Sequence, residues 1–356
     1  MELQNAAKDT FLAIIGAGPI GLELAVNLKR NGIEYLHFDA KQIGYSISWW
    51  PRNTHFFSTT ERIEIAGVPM QMTGQQRATG EEYLAYLRGI VEQFDLHVNT
   101  YEALVRVEQQ PQCFLLTTRS MTGERTYTCQ KLVYAFGDMH RPNMLGIPGE
   151  SLPHVSHYMN DPHDFFRKRV LVVGGRNSAV ESALRCWRVG GQVALSYRRK
   201  RFDPDIVKDW ILPDLLTQIE RGNIQFFPET APVEIKPGST TLEDVSGKRF
   251  QHETDFVLLH TGFIQETALF ELSGVAMSGE SNVPTYNPET METNVPGLYV
   301  AGTAAAGTQK RYQLFIENCH EHVGRIFQHL TGIWPNALGT ISARKYSLPF
   351  EEFRDN

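Results

Sequence analysis

The 356-residue chain reads as an α/β protein with two strand–turn–helix–strand units of one design, the second inserted into the domain that the first begins. Three observations predict this. A Gly-rich turn follows an apolar run near residue 16. A similar turn follows another near residue 174. Apolar strands stop at glycine on either side of the second unit, at Gly137 and Gly302. A chain of this length is too long for one ordinary core and suits two domains.

The first unit begins with Phe11 to Ile15, an apolar run of strand length, and passes directly into Gly16-x-Gly18-x-x-Gly21, with Pro19 and Ile20 between the last two glycines. Leu22 to Asn31 has helical spacing and stops at Gly32, and a second strand, Glu34 to Phe38, ends in Asp39. This context gives the glycines a physical role. Gly16 makes the tight turn, Gly18 removes a side chain where backbone must approach a pyrophosphate, and Gly21 lets helix and strand pack closely. The helix then presents its positive dipole end to the phosphates. Asp39 stands where a carboxylate can accept hydrogen bonds from a ribose diol. The unit therefore reads as a dinucleotide site.

The second unit runs from Arg169 through Val173 into Gly174, Gly175, Arg176, Asn177, Ser178 and Ala179, then a helix ending near Gly190 and Gly191. Its following strand, Gln192 to Tyr197, ends in Arg198 and Arg199 with no acid. A carboxylate there would repel a 2′-phosphate, whereas arginines pair with one. This site therefore reads as NADPH. Arg176 replaces the middle glycine, so the approach to the pyrophosphate must differ, and its cationic side chain could itself meet phosphate.

Two such sites in one chain suggest a first domain holding FAD and an inserted domain holding the nicotinamide cofactor. The strand Lys131 to Gly137, the Pro/Gly-rich crossover from Arg141 and Pro142 to Glu150, the strand Phe256 to Phe263 and the strand Val295 to Thr303 mark the exit and return. A helix over 313–330 follows, its N-terminus expected at the flavin, where negative charge develops on reduction. The expected divisions are 1–150 and 263–334 for the FAD domain, 151–262 for the NADPH domain and 335–356 for a tail. Within the tail, 345–350 could pack on a partner subunit or simply wrap the surface.

A net charge of −6 argues against nucleic acid as the main partner. The basic run from Arg198 to Arg201 is too short to change that. No apolar run reaches the roughly 18 residues that span a bilayer, and the N-terminal apolar stretch runs into the Gly turn instead of a cleavage site. The four cysteines, at 113, 129, 186 and 319, show neither a CxxC pair nor metal-ligand spacing with histidine. A cytoplasmic protein with buried thiols and no metal is expected. Its expected partners are a small-molecule substrate and further copies of itself, with no membrane.

Several stretches resemble the thioredoxin-reductase-like pyridine-nucleotide disulfide oxidoreductases, and among them the bacillithiol-disulfide reductase (YpdA) family. They are Trp50-Pro51, Phe56 to Ser58, Ile147 to Glu150, Val155 to Tyr158, Gly174 to Val180, Trp210 to Pro213, Met291 to Gly297 and Phe315 to Asn318. The resemblance implies FAD held by Gly16, Gly18, Gly21, Asp39, Gly137 and Gly302, with Pro19, Ile20 and Thr303 beside them. It implies NADPH held by Gly174, Gly175, Asn177, Ser178 and Arg198, with Arg176, Ala179 and Arg199 beside them. Trp50 is expected to pack on the flavin ring; His55, Glu317 and His320 are polar groups expected nearby, with no catalytic role assigned. That family is similar in using a cysteine one residue before the third glycine, where this chain has Ile20, and thioredoxin reductases carry a CxxC between Gly137 and Val170, where this chain has no cysteine. Hydride transfer from NADPH to FAD is expected, with delivery to a small oxidised substrate, a low-molecular-weight disulfide or another. The alternatives are a flavin monooxygenase, suggested by His154, His157 and Tyr158 although their spacing from Gly149 fits poorly, and a non-catalytic flavin-binding sensor. Electron transfer to a protein such as ferredoxin is a further alternative, for which the acidic balance offers no docking patch.

Overall fold

The computed structural model describes residues 8–309 and 313–340, so positions 345–350 lie outside the described residues. The chain divides into two compact units, one of residues up to 45, 55–138 and from 265 onward, the other of Ser46–Thr54 and Met139–Ile264. The crossings fall at 138/139 and 264/265, where the sequence reading sets 150/151 and 262/263. The physical reason lies in the crossover itself. Phe263 pairs with Pro142, and Ile235 N–H donates to the Pro148 carbonyl at 2.9 Å, so 139–150 packs as part of the second unit.

The first unit opens with β1 (Lys8–Ile15), α1 (Pro19–Arg30) and β2 (Tyr35–Phe38). Leu12 to Ile15 are buried without alternation, as expected of a strand covered on both faces. Pro19 starts α1 where its missing N–H costs nothing. A later helix, α2 (Gly80–Gln93), starts from a reciprocal cap in which Thr79 Oγ1 accepts from Glu82 N–H and Glu82 Oε2 accepts from Thr79 N–H. Three antiparallel strands follow, β3 (Ala103–Gln109), β4 (Phe114–Ser120) and the long β5 (Gly123–Tyr134).

The second unit contains β6 (Val155–Ser156), β7 (Arg169–Val173), α3 (Asn177–Arg188), β8 (Gln192–Tyr197), α4 (Leu212–Glu220) and β9 (Ile224–Pro228). Three antiparallel strands, β10 (Thr230–Lys236), β11 (Ser239–Asp244) and β12 (Arg249–Glu253), precede β13 (Phe256–Leu259). The main sheet is all parallel in the order β9-β8-β7-β13-β6. Strand alternation decides its two faces. Val170, Val172 and Leu195 pack on α3 and α4 through Ala183, Leu184 and Leu215, while Leu171, Ala194 and Val257 pack on Ile235 and Leu242 of the antiparallel layer.

The chain then completes the first unit with β14 (Leu298–Val300) and α5 (Ile316–Thr331). The first sheet runs β2-β1-β5-β4-β3, and β14 joins β5 in parallel beyond the end of β4. The helix expected over 313–330 begins at Ile316 because Gln309 Oε1 accepts from the N–H groups of Gln313 and Leu314 and holds them in a loop.

Candidate functional site

Register sets the first site. Ile15 lies opposite Tyr134, and Tyr134 opposite Val300, so β1, β5 and β14 end together and Gly16, Gly137 and Gly302 share one rim. Ligands of parallel sheets bind outside such carboxyl ends. Gly16 adopts φ +109°, and a Cβ built there would stand 2.5 Å from the Ala135 carbonyl oxygen. A Cβ on Gly21 would lie 2.0 Å from the Gly16 oxygen, whereas one on Gly18 would meet nothing within 4 Å. Gly18 thus leaves open space beside the first turn of α1, and that turn carries no acidic residue. Open backbone at an uncompensated helix N-terminus fits a pyrophosphate.

Asp39 holds the turn: its Oδ2 accepts from Ala17 N–H and its Oδ1 from Lys41 N–H, both at 2.7 Å. His37 was not singled out from the sequence. Fully buried, it donates from Nε2 to the Gly16 carbonyl at 2.9 Å, and burial pushes its pKa down to about 4, so the ring stays neutral. Gly302 adopts φ +69° and donates its N–H to His322 Nδ1 at 3.2 Å; burial likewise lowers His322 to about 4. Ile20 is buried against Gly302, where a Cβ would come within 3.4 Å of Ile20 Cγ1. Thr303 approaches Gly137, with its Oγ1 3.6 Å from a Cβ built there.

In the second unit, Val173 and Leu259 end β7 and β13 opposite one another, and Val173 lies opposite Ser196, one residue before the end of β8. Gly174 adopts φ +137°, and a Cβ there would lie 2.7 Å from the His260 carbonyl and 3.1 Å from Ala179 Cβ. Gly175 lies against the Tyr197 ring, which a Cβ would approach to 2.3 Å. Arg176 caps α3, exposed, and the first turn of α3 has no acidic residue. Ser178 is exposed on that turn. Asn177 holds a neighbouring loop instead of pointing free: its Oδ1 accepts from Lys208 N–H and its Nδ2 donates to the Ile206 carbonyl. Arg198 and Arg199 are both exposed, and Arg199 lies 3.9 Å from Asp203. Trp50 belongs to this unit and not to the one containing Gly16, and it is its neighbour Trp49 that packs edge-on to Tyr158, with centroids 5.0 Å apart.

Residues 13–302 match the family model described as pyridine nucleotide-disulphide oxidoreductase. The chain belongs to that family. It is 34% identical over 314 residues to the bacilliredoxin reductase Bdr of Bacillus subtilis, covering 88% of this chain and 95% of that one. The solved bacillithiol disulfide reductase Bdr of Bacillus cereus superposes with a TM-score of 0.87 at 31% identity, over 91% of this chain and 99% of that one. A ferredoxin–NADP reductase of Ignicoccus hospitalis is 29% identical over 299 residues, 81% of this chain and 88% of that one. This member is an NADPH-dependent flavoprotein reductase using FAD. No helix among the described residues is long and apolar enough to cross a membrane, and no cluster of His, Cys, Asp or Glu among them could hold a metal.

Proposed function

We propose that this enzyme reduces a small oxidised acceptor, of the low-molecular-weight disulfide class, with no thiol of its own. When bound, NADPH and FAD would supply the hydride chemistry, and the chain's own side chains would have to serve the acceptor. The observation that carries the reading is Ile20. It lies in apolar contact with Gly302, in the place before the third glycine where the sequence resemblance implies a cysteine. The chain's thiols offer no substitute. Burial raises Cys129 and Cys186 to about 12 and pushes Cys319 higher still, so none supplies the thiolate that disulfide exchange requires. Cys113 lies just before β4, its Sγ 3.3 Å from Gln110 Oε1.

The rim of Gly16, Gly18, Gly21, Asp39, Gly137, Gly302 and Thr303 is proposed to hold FAD. Gly174, Gly175, Arg176, Ser178, Arg198 and Arg199 are proposed to hold NADPH, with Asn177 and Ala179 positioning the turn. The acceptor is tested by NADPH oxidation against low-molecular-weight disulfides, quinones and ferredoxin, using the parent and a variant with all four cysteines changed to Ser or Ala. Disulfide turnover is expected in both at similar rates. Turnover abolished by Cys319→Ser alone, with NADPH-driven flavin bleaching spared, would make Cys319 a relocated redox thiol and overturn the reading. Turnover with ferredoxin alone would assign the enzyme to electron transfer, the activity that the Ignicoccus relative is named for.

A further inference from the structure

The exposed cations Arg198 to Arg201 are consecutive, and they make up the whole of the chain between Tyr197 and Phe202. The two flanking rings stack on one another, with centroids 5.4 Å apart and planes 12° from parallel, and Phe202 packs in turn on Phe226. The rings thus close a loop of four positive charges at the end of β8. Tyr197 also lies against Gly175 of the glycine turn. Like charges side by side repel one another, so a loop of this composition needs fastening at both ends.

The far end is fastened by Asn177, the first residue of α3. Asp203 turns the chain back. Its carbonyl accepts from Ile206 N–H at 3.1 Å and from Val207 N–H at 2.9 Å, and its carboxylate lies 3.9 Å from Arg199. Val207 is buried in the core of α3 and α4. On either side of Val207, Asn177 takes one backbone group: its Oδ1 accepts from Lys208 N–H at 2.9 Å and its Nδ2 donates to the Ile206 carbonyl at 3.2 Å. These partners lie 31 and 29 positions away, and neither belongs to the glycine turn. Both ends of a side chain that sits in the glycine turn are therefore engaged by the loop that bears the arginines. Fastening a loop beforehand reduces the ordering it must undergo when ligand binds, and the benefit falls only on ligand atoms that the loop meets. NADPH and NADH share their pyrophosphate and differ only in the 2′-phosphate. A residue that holds the glycine turn affects both nucleotides; one that holds the arginine loop affects NADPH alone.

We propose that Asn177 is a positioning residue for the choice of NADPH over NADH, acting through the loop 198–208 and not on the pyrophosphate. This rests on the reading that Arg198 and Arg199 meet the 2′-phosphate. The experiment is a calorimetric titration of the oxidised holoenzyme with NADP+ and with NAD+. It compares the parent, Asn177→Ala, the double Arg198→Ala, Arg199→Ala variant, and the triple variant that combines all three changes. Asn177→Ala is expected to weaken NADP+ about tenfold, as the loss of one or two hydrogen bonds would, and NAD+ by less than about twofold. Without the arginines the same substitution is expected to change neither nucleotide by more than about twofold, because residues acting as one unit are not additive. Equal weakening of both nucleotides by Asn177→Ala overturns the proposal, as does no change in either. So does a tenfold loss of NADP+ that persists in the arginine-free background. Should Asn177→Ala fail to retain FAD or to unfold cooperatively, Asn177→Gln, which keeps the amide and displaces it by one methylene, is judged by the same outcomes. A parent that binds NADP+ and NAD+ equally contradicts the reading of the arginines, whereas failure of the Asn177 clamp shows only in the variants, so the two failures are distinct.

Discussion

Gly18 and Gly21 stand three residues apart and are glycine for opposite reasons. Gly21 is a packing glycine: a Cβ there would be driven to 2.0 Å from the Gly16 carbonyl oxygen. Gly18 has φ −76°, a conformation any residue adopts, and a Cβ would meet nothing within 4 Å. Gly18→Ala should therefore leave the flavin-free protein within about 1 kcal/mol of the parent while weakening FAD binding about tenfold or more, through obstructed approach of the pyrophosphate. Gly21→Ala should cost several kcal/mol and fail to give folded protein. Flavin-free thermal scans and FAD titrations separate the two. Equal stability losses would show that Gly18 is also there for packing. His37 and His322 extend the same logic. Each is a buried, neutral ring spent on one backbone group of a rim glycine.

At the scale of elements, the packing of α1, α5 and the segments after residues 62 and 336 converges on one buried carboxylate. Glu23 accepts from Ala66 N–H at 2.9 Å, from Gly339 N–H at 2.5 Å and from His320 Nδ1 at 2.7 Å. The other nitrogen of His320 faces the Arg62 carbonyl at 3.3 Å, so both ring nitrogens meet oxygen acceptors. Arg62 and Glu64 on the facing segment, Glu317 and Cys319 on α5, and Tyr83 and Tyr86 on α2 complete the charged and titratable surroundings. Burial alone would lower the His320 pKa, but the hydrogen bond and charge of Glu23 hold it above its ordinary value. A raised folded-state pKa stabilises fully below the unfolded value, near 6.5, and the contribution is lost as pH rises through the folded value. The thermal midpoint of the parent should fall as pH rises from about 6 to about 9. Glu23→Gln should lose about 3–5 kcal/mol and flatten that slope; an unchanged slope would locate the pH dependence elsewhere.

For the whole molecule, a net charge of −6 opposes an anionic nucleotide, so capture of NADPH depends on a local exception to the overall field. The exposed run Arg198, Arg199, Lys200 and Arg201, at the end of β8, is the proposed exception. Arg199 shares its charge with Asp203 across 3.9 Å, whereas no described hydrogen bond or ion pair engages Arg198. Arg198 should carry most of the discrimination. A charge-assisted pair with the 2′-phosphate is worth about 1.5–3 kcal/mol, or about 10- to 150-fold in affinity. Arg198→Ala should remove most of the preference for NADPH over NADH, and raised salt should weaken NADPH more than NADH. Stopped-flow flavin reduction with each nucleotide is the measurement. Equal rates in the parent, or no loss in the double Arg198→Ala, Arg199→Ala variant, would make these arginines ordinary surface residues.

The sequence by itself determined the α/β class, both glycine turns, the strands that stop at Gly137 and Gly302 and the family, because each rests on short-range spacing: an apolar run, a turn needing positive φ or bare backbone, a helix starting within three residues. It also singled out Ile20, in the place where the resemblance implies a cysteine, since that is a matter of one position inside a motif. Only the tertiary structure decided the rest. The antiparallel layer β10 to β12 carries no motif, and its place under the parallel sheet follows from which side chains of β7, β8 and β13 face it. Gln265 bonds to residues 128 and 39 positions away, His320 to one 297 positions away, and His37 to one 21 positions away. No local periodicity encodes such partners. Trp50 is read from the sequence as a flavin neighbour, and the fold groups its segment, 46–54, with 139–264. Asp39 and Asn177 were read as facing ligand, and the structure gives both of them backbone to hold as well. A polar side chain beside a glycine turn can satisfy the turn's own N–H groups, and sequence spacing does not reveal which of its atoms are already engaged.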